Sequence, residues 1–497
     1  MRKVIEPQMQ IGEISIMNIK LDFHSRDEIP KVLFGLQQIY SVPDVRKQVF
    51  NILEEIIPEG IDKNNGRKGM DLWKILVLGV VRLSCNWDYD KLKEIADQHK
   101  TIREMLGHPF YDNTHYPLQT IKDNISLFTP DVLDKINQIV VKSGYKALGK
   151  DEEKIVKGRV DSFVVETDVH YPTDINLLYD AIRKVITLIA ALSMTFGIND
   201  WRKWKDNLLK IKRLFNHVRK LKHSTSKNEK KKKEKANEIR KAHQLYINFV
   251  KSFIEKAKKT IDALKNISGV KESELNEIEK YIEHAERQME QIERRVVNGE
   301  KIPHEEKVFS VFEEHTEWIN KGKAGVPQEL GKRVCVVEGK HGFILHHQVI
   351  DKETDEKVAV SIINETKERF ESFSIASFDK GFYTPDNRKK LSEILDTVVL
   401  PKKGKLSVED QEIETSEEFI NLKREHPGVE SAINALENHG LDRCPDHGIK
   451  GFKRYVGLSV LAINLQIPGH IIQQKELKTQ KRKERYRKTY FENKAAA

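Results

Sequence analysis

Cysteine is scarce in this chain. Three stand among 497 residues, Cys85, Cys335 and Cys444, and they lie far apart. They build no disulfide framework, and their number fits a reducing cytosol. Long apolar runs are missing too. The windows ILVLGVV (75–81) and VITLIAALSMTFGI (185–198) fall short of the roughly 18 to 20 residues that span a bilayer, so both read as buried helix and no membrane partner is expected. The first residues, MRKVIEPQMQIGEISI, carry charges and a proline where a secretory signal needs an apolar core. A cytoplasmic protein is the expectation. No GxxxxGK loop occurs, so ATP use is not indicated.

What is present is charge. Charged residues make up 33% of the chain against 38% hydrophobic, and the net charge is +10. A basic excess points to a polyanionic partner, and nucleic acid is the commonest one. The length exceeds one small core and implies roughly two to four domains.

One stretch organises the rest: GRVDSFVVETDVHYPTDINLL, 158–178. Its β-branched run, Val160, Val164 and Val165, suits a buried strand. Pro172 and Thr173-Asp174 then end the strand and cap a helix. An aspartate within an apolar strand is costly unless it is paired or holds a metal. By strand period Asp161 lies on one face, and Glu166 and Asp168 on the other.

Before this stretch the pattern is helical. One run extends from Ile29-Pro30 to Ile57-Pro58, followed by a polar loop at 61–67. Residues 68–108 read as a long apolar helix, a break at Asn86-Trp87-Asp88, a short helix from Tyr89 to Gln98 and another ending at Gly107. Short helices with tight turns in a basic chain fit either a helix-turn-helix in a DNA groove or plain helical packing. A polar loop follows at 149–154. From 176 to 305 strands vanish and lysine and glutamate dominate. A lysine run after His223 leads into an apolar stripe from Ile239 to Leu264, a turn at 266–270, and a second stripe from Leu275 to Val296. These make an antiparallel helical hairpin. The lysines are either a solvated face or a track for phosphates.

Beyond Pro303 alternation returns. Strands are expected at 333–339 and 343–351 around a hairpin at Gly339–Gly342, then a strand ending in Asp379, a strand at 397–400, and helix, turn, helix over 426–467. The tail from Gln473 reads as a basic helix or arm. With the insertion removed, strands and helices alternate into a mixed α/β sheet. Asp161 on the first strand, Asp379 at the end of a later one before Lys380-Gly381, and Glu430 in the first turn of a helix then meet at one edge. Three adjacent carboxylates repel unless a cation neutralises them. Oxygen ligands select Mg²⁺ or Mn²⁺ rather than zinc, and paired ions of that kind support phosphodiester displacement.

RVDSFVVETDVHYPTDINLL, SFDKGFYTPDNRKKL and HPGVESAINALENHGLDRCPDHGIKGFKRYVGL resemble the three blocks of an insertion-sequence transposase of the DDE type. The resemblance covers 158–178 and 305–465, and 68–108 more weakly. It implies a ribonuclease H-like α/β domain interrupted by a helical insertion, with Asp161, Asp379 and Glu430 as the catalytic and metal-binding triad. It also implies Mg²⁺ or Mn²⁺, cleavage and 3′-hydroxyl strand transfer on double-stranded DNA, and a homodimer when two ends are paired. Asp161 follows Arg-Val, which selects it over Asp168. Glu437 shares a helical face with Glu430. Some relatives place tyrosine and arginine before the glutamate and lysine after it. Here those positions hold Lys423, His426 and Glu437, so that DNA-gripping motif is not carried over.

The domain reading is therefore 1–125 helical and possibly DNA-binding, 126–175 and 306–470 catalytic, 176–305 insertion, and 471–497 basic tail. Lys380, Lys402, Lys403, Lys453 and Arg454 are the expected phosphate contacts. Cys444 and His447 have zinc-like spacing without a second half-site, so a tight turn is favoured. Of His346 and His347, one at most can face the acid edge. Trp318 is read as packing rather than stacking on a base. A metal-dependent nuclease without strand transfer, and a non-catalytic DNA-binding scaffold, are the competing readings.

Overall fold

The computed structural model describes residues 2–6, 8–22, 24–58, 66, 68–148, 156–320 and 328–495, with side chains described to 486. The loops expected at 61–67 and 149–154 lie outside these residues, Gly66 excepted. The chain divides into two compact units, one of residues 1–168 and 319–497, the other Val169–Trp318.

Among the described residues the first unit opens with seven α-helices: α1 (Ile29–Ser41), α2 (Pro43–Glu54), α3 (Leu72–Ser84), α4 (Tyr89–Gln98), α5 (Lys100–Met105), α6 (Leu118–Ile125) and α7 (Pro130–Ala147). The helical run expected over 29–58 is divided into two helices. Pro43 has no N–H to give the preceding turn, and it starts α2 at the first position, where that donor is not needed. Nearly every residue of α3 is buried, so α3 is a core helix and presents no face to a DNA groove. Helices α4 and α5 follow at the expected places, but α5 has only 6 residues.

Strand β1 (Lys157–Thr167) comes next. The second unit then intervenes with α8 (Asp174–Thr195), α9 (Trp204–Lys220), α10 (Glu229–Lys265) and α11 (Glu272–Ile292). The hairpin of α10 and α11 does not stand alone. Its apolar stripes bury against α8, whose Ile182, Val185, Ile186 and Ile189 are fully enclosed. Trp318 sits at the edge of this unit between the rings of Tyr171 and Phe309, at centroid distances of 5.6 and 5.7 Å. It packs, as read.

The remaining strands are β2 (Glu317–Asn320), β3 (Gln328–Gly339), β4 (Ile344–Val349), β5 (Ile375–Phe378), β6 (Thr397–Val399) and β7 (Arg443–Cys444). The helices are α12 (Asp355–Arg369), α13 (Pro385–Ile394), α14 (Val408–Thr415), α15 (Glu417–Glu425), α16 (Gly428–Leu436) and α17 (Gly448–Ala495). The seven strands form one mixed open sheet. β3 runs antiparallel to β1 and β4, whereas β5 and β6 continue from β1 in parallel. Strand period puts Phe163, Val165, Val334 and Val336 into the core under α16 and α17. It puts Val160, Cys335, Val337 and Phe378 into the core under α12.

Helix α17 runs through the boundary expected at 470. It is the one described helix long and apolar enough to cross a membrane, by a window within its Gly448–Tyr486 stretch that the sequence reading did not name. That window is 78% buried within the protein, as a core helix is. Asn464 on α17 accepts the Ile344 N–H at 2.9 Å and donates to Asn137 at 2.7 Å, tying α17, β4 and α7. Helix α1 crosses α17 closely: a Cβ on Gly35 would lie 2.1 Å from the Leu465 carbonyl oxygen. Gly35→Ala is therefore expected to force the two helices apart and cost about 1–3 kcal/mol. A lowered denaturation midpoint would show it.

Candidate functional site

The sheet leaves a gap where its strands part. The ladder from β1 to β5 ends at Val160↔Phe378. The ladder from β1 to β7 begins only at Glu166. Between them opens a cleft of about 750 Å³, whose lining includes Asp161, Asp355, Asp379, Glu430 and Glu437.

Each acid is delivered by a different element. Asp161 lies mid-strand on β1. Asp379 follows the last β1–β5 pair on β5 as Asp161 follows it on β1, and both line the cleft. Asp379 turns the chain at once: its carboxylate accepts the Gly381 N–H at 3.3 Å. Lys403 braces this turn from outside, its Nζ 2.9 Å from the Gly381 carbonyl. Glu430 rides on the first turn of α16. Val429, Ala432 and Leu436 on the other face of α16 are buried, so Glu430, Asn434 and Glu437, with Ile433 beside them, stay on the cleft side.

Sequence reasoning missed the fourth acid. Asp355 begins α12, after β4, and no element or site residue was expected within 352–370. The Ser162 hydroxyl donates to Asp355 Oδ1 at 2.7 Å. Oxygens of Asp355 and Asp379 both lie within 3.5 Å of the point where a Cβ on Gly381 would sit. The neighbour that completes the set thus comes from outside the quoted blocks. Its only sequence signal is Thr354-Asp355-Glu356, which reads as an ordinary helix start.

The electrostatics follow. Burial pushes the Asp161 carboxyl up to about 6, and the charges of Asp379, Asp355 and Glu430 add to that, against the Ser162 N–H that favours the ionised form. His426, at the base of α16, shares a 3.0 Å hydrogen bond between its Nδ1 and the Ser377 hydroxyl, and burial lowers its pKa. Behind the cleft Arg159 holds the α15–α16 corner to the sheet. It pairs with Glu338 at 2.5 Å and donates to the Glu425 carbonyl at 2.8 Å. Gly428 gives it room, since a Cβ there would be 1.7 Å from Arg159 Nη1.

The other expected residues divide. Lys380 lines the cleft, joined by Arg333 and Lys423. Lys402, Lys403, Lys453 and Arg454 do not line it. Lys402 is ion-paired with Asp410, whose side chain also closes the capping box of α14. Arg454 reaches Asp446 at 3.4 Å and the Ser126 carbonyl at 3.2 Å. Asp168 is exposed past the end of β1, 3.7 Å from Arg443, and outside the cleft. His346 bonds Glu365 at 3.0 Å, and neither it nor His347 lines the cleft. Cys444 is buried on β7 with its thiol toward the Asp446 carbonyl.

No family model, curated protein or solved structure matches this chain. The reading of the cleft therefore rests on its own chemistry. Among the described residues no three His, Cys, Asp or Glu side chains already stand in the geometry of one ion site. The donor set itself, carboxylate oxygens of Asp161, Asp355, Asp379 and Glu430 at an open cleft, has the composition that a hard divalent cation takes.

Proposed function

We propose that the chain is a DNA transposase of the DDE type, built on a ribonuclease H-like domain and acting on the ends of a mobile element in the cytosol. The observation that carries this reading is the meeting of Asp161, Asp379 and Glu430 in one cleft, each from a separate element. The strand arrangement supports it: an antiparallel run of β4, β3 and β1 followed by the parallel β5 and β6.

In this reading Asp161, Asp379 and Glu430 hold Mg²⁺ or Mn²⁺, with Asp355 completing the oxygen donors. Bound cations of this kind supply neutralisation of the charge that grows on phosphodiester oxygens during displacement. The chain's own residues do the rest. The rigid β1–β5 pair fixes two acids, α16 fixes the third, and Lys380 and Arg333 set positive charge where phosphate oxygens enter. Pairing two element ends calls for a homodimer on double-stranded DNA.

The test is incubation of the protein with a labelled duplex carrying the element end, a target plasmid and Mg²⁺ or Mn²⁺. Cleavage that exposes a 3′-hydroxyl, followed by its joining to the plasmid, is expected. Cleavage without joining would replace this reading with a nuclease, and binding without either would leave a scaffold. Asp355→Asn is expected to slow cleavage by about 10–100-fold and to raise the Mn²⁺ concentration that gives half-maximal rate. An unchanged Mn²⁺ dependence would remove Asp355 from the donor set.

A further inference from the structure

The largest excess of positive charge in this chain lies in a segment that contributes nothing to the acid cleft. Between positions 201 and 241 stand seventeen Lys and Arg against four Asp and Glu. That excess is larger than the net +10 of the whole chain, so the remainder is net negative. The segment comprises α9, the connection after it and the first turns of α10, all in the helical unit.

The packing of α9 explains why this charge is displayed. Ile211, Phe215 and Val218 are buried along one side. Lys210, Lys212, Arg213, Arg219 and Lys220 are exposed along the rest, and none of these five is ion-paired among the described residues. Lys230, Lys231 and Lys233 extend the same field onto α10. Lys232 and Lys235 among them pair with Glu229 and Glu238 at 2.8 and 2.7 Å, and further along the unit Lys258, Lys265 and Lys280 pair with Glu286, Glu279 and Glu314 at 2.7, 2.8 and 3.1 Å. A solvated face made only for solubility would intersperse both signs in this way. Beyond Asp206 in its first turn, α9 carries no acid as far as Lys220.

We infer that the α9 face, continued onto the start of α10, is a docking surface for the sugar-phosphate backbone of duplex DNA. The inference rests on the transposase reading and deepens it by separating grip from chemistry. A helix of this length spans about 25 Å, along which a duplex presents one charge per roughly 1.7 Å. The surface is therefore matched to several phosphates at once. The five cleft acids repel the same backbone and outnumber Lys380, Arg333 and Lys423 beside them, whereas the chain places its largest excess of cations here. Contacts of this kind hold the duplex without reading its sequence.

The experiment uses the full-length protein and a fluorescent 40-base-pair duplex, with affinity measured by anisotropy from 50 to 300 mM KCl. One variant changes Lys210, Lys212, Arg213, Arg219 and Lys220 to Gln, which keeps helix propensity. A charge-matched variant changes Lys258, Lys259, Lys265, Lys271 and Lys280 to Gln. Circular dichroism melts confirm that both fold. The α9 variant is expected to lose about 3 to 5 from the slope of log K against log salt, and roughly 100-fold or more in affinity. The matched variant is expected to lose less than 1. Equal losses in the two variants would overturn the inference, because net charge alone would then explain binding. Loss of vesicle binding to phosphatidylserine in the α9 variant, with duplex binding unchanged, would overturn it in favour of a membrane surface. A wild type that binds no duplex at all would overturn the transposase reading itself.

Discussion

Asp161→Asn is expected to lower strand cleavage by about a thousandfold or more while making the protein harder to melt. The first effect follows from removing a carboxylate at the centre of the donor set, where several kcal/mol of charge stabilisation are at stake. The second follows from burial. The Asp161 carboxyl is pushed up to about 6, chiefly by burial and further by Asp379, Asp355 and Glu430, whereas in the unfolded chain it titrates near 3.9. A raised acid favours the folded state below the unfolded pKa and loses that contribution as pH climbs through the folded one. By pH 7.5, without divalent cation, the wild type has lost about 2–3 kcal/mol that it has at pH 4. Asn carries no such load. The melting gap between variant and wild type should therefore be widest above pH 6 and close towards pH 4, in buffer containing EDTA. Mn²⁺ should raise the wild-type midpoint more than the variant's. A variant that melts lower than wild type at every pH would mean that Asp161 is a structural residue. Such a trade of stability for activity is the usual signature of a functional carboxylate.

The acids differed in how readable they were. Asp161 could be found because a strand period exposes a charge among Val160, Val164 and Val165. Asp379 could be found because Gly381 follows it, and Glu430 because Pro427-Gly428 announces a helix. Asp355 is invisible in this way. Its place depends on β4 returning beside β3 and on α12 starting at the cleft, which is a matter of register across the sheet and leaves no periodic mark. Four of the five expected basic residues lie off the cleft for the opposite reason. Lys402 stands near the acids in sequence, but Asp410, held in the α14 capping box, claims its charge. Proximity in the chain says nothing of which carboxylate a long side chain will meet. The mixed sheet itself was legible, since alternation survives on both sides of the insertion. The break before Pro43 was not, because Ile29–Ser41 and Pro43–Glu54 carry one continuous apolar rhythm across it.

Arg159→Ala is expected to cost about 3–5 kcal/mol and to abolish cleavage, although Arg159 does not line the acid cleft. Glu338 is 3% exposed, and burial already raises its pKa against the pull of Arg159. Without the guanidinium it becomes an unpaired buried charge and takes up a proton. The Glu425 carbonyl loses its donor at the same time, and the corner that aims Glu430 is released. The two losses can be separated. Arg159→Met with Glu338→Gln removes both charges and fills the space, so denaturant midpoints in a four-member cycle should show recovery of most of the stability. Cleavage should not recover, because methionine cannot donate to the Glu425 carbonyl. Gly428→Ala supplies the complementary case. It leaves both charges in place but drives a methyl into the guanidinium, so it should reduce cleavage with Arg159 still present. If the double variant cleaves as wild type does, the corner does not position Glu430, and Arg159 serves stability alone.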